Sequence, residues 1–263
     1  MTRHLPLVLR GVVPPDATDV RWHGPRPFVT RCTFVTADGE HVEWGVRERR
    51  RGQGGGRGLT WWIGLLFVVG SACFVVGPTP GYARLVGVTA TGVTFFVGSL
   101  FFTTAAYLSY WQVIRPEGHR LLGWEPRVMG FWATAVQLVG TLCFNVTTFA
   151  ALLDLPVDAA ARWVWRPDAL GSVCFLVASY VAFAEAGHRW LSWRPGHRDW
   201  HITALNLWGS VFFAVSAVGA YVLPDGATLA VGWANGGTFL GAGCFLVAAA
   251  LTMREARDVP TAT

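Results

Sequence analysis

In a 263-residue chain that is 52% hydrophobic and 14% charged, side chains able to do chemistry are few enough to weigh singly. The one carboxylate that stands out inside an apolar stretch is Glu185, about a turn from His188 and Arg189. Ionisable groups in a membrane mark ion pathways or proton relays. At the end of an apolar run and beside an arginine, the expected role of Glu185 is instead an interfacial ion pair. Four amides, Gln137, Asn145, Asn206 and Asn235, stand in apolar surroundings. An amide facing lipid is costly, so each is expected to face the interior of a helix bundle. Structural hydrogen bonds are the plainer reading; the sharper one is a polar cavity for a small neutral or zwitterionic ligand.

Cysteine and histidine add no catalytic centre. Cys73, Cys143, Cys174 and Cys244 lie in apolar runs with no C-x-x-C spacing and no histidine within a run. They read as small hydrophobic fillers, and Cys32, outside the runs, as a reduced thiol. His188, His197, Asp199 and His201 have metal-ligand chemistry at loose spacing. Their loop also carries Trp190, Trp193 and Trp200 with three arginines, which headgroup anchoring explains better. No P-loop, dinucleotide fingerprint, G-x-S-x-G or H-E-x-x-H occurs. No catalytic, cofactor-binding or metal-ligating residue is therefore assigned, no cofactor is expected, and the chain reads as a non-enzyme.

The elements that position these residues follow from hydropathy. A spanning helix needs about 20 mostly apolar residues, and six runs qualify: residues 59–77, 85–113, 128–153, 168–186, 202–223 and 229–253. Helices are the expected form, because open strands leave backbone groups unpaired in lipid. The fold class is thus an all-α integral membrane protein. All 21 basic residues are arginine, and eighteen fall on one side of this topology; only Arg84, Arg162 and Arg166 fall on the other. That bias predicts a cell-membrane protein with both termini cytoplasmic. Trp61, Trp62, Trp111, Trp132, Trp163, Trp165 and Trp233 lie near the expected helix ends, where an interfacial belt belongs.

Residues 1–58 read as a cytoplasmic segment. Within it, FVTRCTFVTADGEHVEWGVR flanks Asp38-Gly39 with β-rich residues, a hairpin signal, and so small a unit is expected to lean on the membrane domain or a partner. RERRRGQGGGRG then makes a basic, glycine-rich link, a positive-inside anchor able to meet anionic headgroups. Residues 59–253 form the membrane domain and 254–263 a cytoplasmic tail. The lipid bilayer is the expected partner; no nucleic-acid partner is expected, and no protein partner is indicated.

The strongest signal is internal. Each expected helix carries Gly, a small residue, any residue, Cys or Phe, then Phe, beginning at Gly70, Gly98, Gly140, Gly171, Gly209 and Gly241. Helices one, three and five, and likewise two, four and six, recur at about 70 residues, one helical hairpin. An offset of 69 also aligns RLLGWEP (120–126) with RWLSWRP (189–195) and Gln137 with Asn206. Three tandem, parallel hairpins are expected, with the six glycines as close-packing sites. The six-helix, three-hairpin plan of mitochondrial carriers is set aside because their P-x-[DE]-x-x-[KR] signature is missing.

These GS-x-C-F and GS-x-F-F helices, with WRPDALGSVCFLVAS and NLWGSVFFAVSAVGAYVLP, resemble uncharacterised actinobacterial membrane proteins of the YrhK-like domain type. The resemblance covers about residues 59–252. It implies a multi-pass membrane protein of unknown function and carries no site residues with it. Two functions are expected in turn: a structural, lipid-binding or partner-docking protein, or a small facilitator or channel with a polar path on the pseudo-threefold axis. A continuous polar cavity along that axis favours the second; an axis filled by phenylalanine and glycine contacts favours the first.

Overall fold

The computed structural model describes residue 9 and residues 12–47, 58–115 and 121–258. The basic glycine-rich link (48–57), Arg120 and the last five residues of the expected tail lie outside them. Six helical stretches are long and apolar enough to cross a membrane: Leu59–Val76, Val88–Ile114, Met129–Ala150, Val157–Gly187, Arg198–Gly219 and Val231–Arg257, with mean hydropathy between 1.3 and 2.1. Less than half of each is buried inside the protein. The outward faces carry Leu100, Leu142, Val146, Val173, Val177, Val218 and Val247, an apolar girdle far larger than a water-soluble monomer exposes. This is the build of a multi-pass membrane protein.

Ahead of the bundle, β1 (Thr18–His23), β2 (Arg31–Val35) and β3 (His41–Gly45) form an antiparallel sheet in chain order. The expected hairpin is β2–β3, turning at Asp38-Gly39, where Gly39 takes φ 80°; β1 is an additional strand. Cys32 and Phe34 alternate inward onto Leu9 and Val13 in a small core of their own.

The helices are α1 (Leu59–Val76), α2 (Tyr82–Val86), α3 (Val88–Ile114), α4 (Met129–Ala150), α5 (Val157–Ala160), α6 (Arg166–Gly187), α7 (Arg198–Gly219) and α8 (Val231–Asp258). Among the long ones, each packs on its chain neighbours, and α1 closes against α8, making a ring of six.

Several boundaries differ from expectation. The fourth span starts at Val157, not residue 168: a π turn at Ala161–Trp165 joins α5 to α6. Pro167 lacks the N–H of a regular helix and crowds the preceding turn, and a π turn relaxes that ladder. Arg162 and Arg166 consequently ride on a helix rather than a loop. The second long helix begins at Val88, since Gly87 at φ 87° separates it from α2. The fifth ends at Gly219, where the chain enters a turn closed by a Val222–Thr228 bridge. The last continues through Arg254 to Asp258, into what reads in sequence as tail.

Each glycine of the repeated motif meets its hairpin partner. A Cβ on Gly209 would lie 3.0 Å from the Gly241 carbonyl oxygen, and one on Gly241 2.8 Å from that of Gly209. Gly70 with Gly98, and Gly171 with the Gly140 carbonyl, repeat this approach at 3.0–3.2 Å. The motif cysteines fill the resulting notches: Cys73 faces Gly98, Cys174 faces Gly140 and Cys244 faces Gly209. The small residue after each glycine (Ser71, Ser99, Thr141, Ser172, Ser210, Ala242) is buried. Hydroxyl pairs then tie neighbouring helices: Ser99 with Thr148 at 3.0 Å, Ser179 with Ser210 at 2.7 Å and Ser216 with Thr238 at 2.8 Å.

Candidate functional site

The motif phenylalanines, one from each spanning helix, meet in the centre. Phe74, Phe102, Phe144, Phe175, Phe213 and Phe245 form one buried cluster. Ring centroids lie 5.0–5.7 Å apart within a hairpin and 5.8–6.4 Å between hairpins. These are ordinary edge and offset contacts, and together they fill the axis with hydrocarbon.

A cavity lies on each side of this layer. The larger, about 200 Å³, is lined by Ile63 and Phe67 of α1 and by Gln137 of α4 and Asn206 of α7, all N-terminal to their motif phenylalanines. Gln112 of α3, Glu185 of α6 and Thr252 of α8 line it from positions C-terminal to theirs. Because alternate helices run in opposite directions, all of these belong to one half of the bundle. The N-terminal sheet sits at this end: Thr30 Oγ1 and His188 Nδ1 are hydrogen-bonded at 2.8 Å. Arg47, just past β3, lines the same cavity and places its Nε 3.9 Å from Asp199 Oδ2.

The lining comes in register-matched sets, counted from the motif glycines. Phe67, Gln137 and Asn206 each precede theirs by three residues; Gly64, Thr134 and Thr203 by six; Ile63, Ala133 and Ile202 by seven. Ser109, Ala182 and Thr252 follow theirs by eleven, and Gln112 and Glu185 by fourteen. Gln112 Nε2 donates to Thr60 Oγ1 at 2.7 Å, crossing from α3 to α1.

Glu185 stands in the last turn of α6. It is 2% exposed and lines the cavity inside the bundle. Ionised groups so placed are tolerated only with partners, and Glu185 engages others rather than standing alone. The four amides do not converge. Gln137 and Asn206 line the cavity. Asn145 accepts a hydrogen bond from Thr103 Oγ1 at 3.0 Å, joining α4 to α3. Asn235 is exposed, not bundle-facing, because it sits in the second turn of α8, near the helix end.

The smaller cavity, about 160 Å³, lies beyond the phenylalanines. Gly92, Thr147, Thr148, Asp168 and Thr238 line it, with Phe74, Phe144 and Phe213 as its floor. Asp168, expected at a helix start, is thus a second carboxylate inside the bundle. Lengthening the fourth helix moves it inward. Arg47 escaped sequence reasoning because only the fold brings it to the bundle. Gln112 was legible: it and Glu185 hold matching places after their motif glycines.

The histidines set aside as metal ligands in favour of headgroup anchoring bond separate partners. His188 bonds Thr30, His197 Nε2 lies 3.1 Å from Arg194, and His201 Nε2 lies 2.6 Å from the Pro195 carbonyl oxygen. Among the described residues no three His, Cys, Asp or Glu side chains come together to hold a metal. No protein-family model, no curated protein and no solved structure matches this chain.

Proposed function

We propose that this is a non-enzymatic membrane protein of three tandem hairpins that binds a small zwitterionic or neutral polar solute in the sheet-side cavity. The sheet, and both termini, are on the cytoplasmic side, and the YrhK-like type is the family placement that fits the repeated motif. The observation that carries the reading is the cavity wall itself. A buried carboxylate, Glu185, and two register-matched amides, Gln137 and Asn206, share it with a guanidinium, Arg47, delivered by the segment leaving the sheet. An ammonium suits Glu185, a carboxylate suits Arg47, and the amides serve either. Since Arg47 belongs to the sheet segment, an occupied cavity would hold the sheet more tightly. That makes the sheet the docking element through which ligand is reported.

The test is a thermal-unfolding panel on the purified full chain with glycine, alanine, glutamine and urea. At least one is expected to raise the unfolding temperature of the wild type but not of Glu185→Gln or Arg47→Gln. A panel that moves nothing, or moves the variants equally, rejects the reading.

One observation favours a second reading, a facilitator. Two cavities face each other across a layer only one motif phenylalanine per helix thick. Proteoliposomes separate the two: passage of a solute that stabilises the protein supports a gate, and its retention supports binding without passage.

A further inference from the structure

A second site lies outside the bundle, where the sheet meets the turn after α6. We infer that this is a phosphate-binding pocket for the headgroup of an anionic phospholipid, and that the lipid helps hold the sheet to the membrane domain. The pocket, about 420 Å³, is lined by His23 and Arg31 of the sheet and by His188, Arg189, Ser192 and Arg194 of the turn. Three arginines and two histidines line one space, and among the described residues no carboxylate lines it. The nearest defined counter-charge is Glu43, held by Arg31 at 2.6 Å on the neighbouring strand. Guanidinium forks match phosphate oxygens in pairs, and such charge-assisted bonds are stronger than neutral ones.

Independent of the charge, two donors in this wall are unsatisfied. Arg31 Nε and Ser192 Oγ are buried without a hydrogen-bond partner, a costly condition that an acceptor oxygen in the pocket would relieve. The source of that oxygen follows from the flanking residues. Leu191 and Trp193 line the same pocket yet are 82% and 79% exposed, and Trp190 stacks on Tyr180 of the spanning helix. Exposed leucine and tryptophan at the end of a membrane helix rest in the interfacial layer, so the pocket opens at headgroup depth. The repeat-related turn has Leu122 and Trp124 exposed in the same way, but Glu125 stands where this one has Arg194. The apolar anchor is common to both turns; the anion site belongs to one. Thr30 and His188, whose side chains bridge sheet and bundle, adjoin this wall, so a headgroup bound there would brace that bridge. The assignment is independent of what fills the central cavity.

Native mass spectrometry of the full chain, released from vesicles of phosphatidylcholine mixed with phosphatidylglycerol, tests it. The wild type should retain phosphatidylglycerol. Arg189→Gln/Arg194→Gln should bind it about tenfold more weakly or worse, as loss of charged hydrogen bonds implies. Arg84→Gln/Arg166→Gln, two exposed arginines of the opposite side, should leave retention unchanged. Limited proteolysis of the sheet should slow on adding phosphatidylglycerol to phosphatidylcholine vesicles for the wild type but not for Arg189→Gln/Arg194→Gln. Equal retention by the Arg189/Arg194 variant, or equal retention of phosphatidylcholine, overturns the site. Binding of inorganic phosphate with no retained phosphatidylglycerol overturns the lipid as its source.

Discussion

The two halves of the bundle are made from the same six helices, yet they treat charge differently. On the sheet side, Glu185 is buried in a cavity that Arg47 also lines, with Gln137, Asn206 and Gln112 around them. On the far side, Asp168 shares its cavity with threonines, glycine and phenylalanine, and among the described residues no cationic side chain lines it. The helices bring one carboxylate to each cavity, Glu185 to the first and Asp168 to the second. What differs is what arrives from outside. The far-side connections run only between spanning helices, whereas the sheet side receives a separate folded segment whose Arg47 lines the cavity. A buried carboxylate is tolerated where an opposite charge is supplied, and Arg47, from another part of the chain, lines the cavity that holds Glu185.

The deepest cut into this comparison removes the layer that keeps the halves apart. Phe213 touches four other motif rings. Phe213→Ala should cost about 3–5 kcal/mol, the range for buried aromatics, read as lowered thermal unfolding in detergent. It should also join the cavities, so dye-loaded proteoliposomes should leak. A stable, tight variant would show that the layer is not the seal.

Next in size is a pair of isosteric changes, one in each half. Glu185→Gln removes a buried charged partner and should destabilise by about 1.5–3 kcal/mol. Asp168→Asn neutralises a carboxylate with no cation in its cavity and should be neutral or stabilising. Opposite signs in chemical unfolding sharpen the contrast; the same sign in both would erase it.

How far the sequence anticipates this picture depends on the range of the interaction. The motif glycines and phenylalanines are local in sequence, so they could be singled out from it as candidate packing sites; in the structure a Cβ on Gly209 would lie 3.0 Å from the Gly241 carbonyl oxygen. Gln137 and Asn206 could be paired for the same reason. Arg47 could not, because its place depends on how a β-sheet seats on a distant turn. Asp168 was misplaced because Pro167 and two arginines look like a loop, while a π turn lets the helix run through them. Asn235 shows the limit of composition: an amide near a helix end can be exposed.

A smaller effect separates packing that both halves share from chemistry that one half owns. Gly241→Ala pushes a methyl to 2.8 Å from the Gly209 carbonyl oxygen and should cost about 1–3 kcal/mol. Gly243→Ala, two residues on and with open space at its Cβ, should be neutral or slightly stabilising, since alanine favours a helix. Equal losses from the two would mean that backbone approach at the motif glycine is not what binds the hairpin.

The smallest change tests the link that makes the halves unequal. Thr30 is buried at the sheet's foot, and its hydroxyl and the His188 ring are 2.8 Å apart. Thr30→Ala removes that hydrogen bond, worth about 0.5–1.5 kcal/mol, and the hydroxyl's longer 3.4 Å bond to the His23 carbonyl oxygen. That is too little to unfold the bundle but enough to loosen the sheet locally. Amide exchange should therefore quicken in residues 41–47, which carry Arg47, and stay unchanged around Asp168. If both regions quicken together, the sheet is holding the whole bundle closed. If only the first does, the sheet's influence stops at the phenylalanine layer, and the sheet-side cavity opens and closes without the far one.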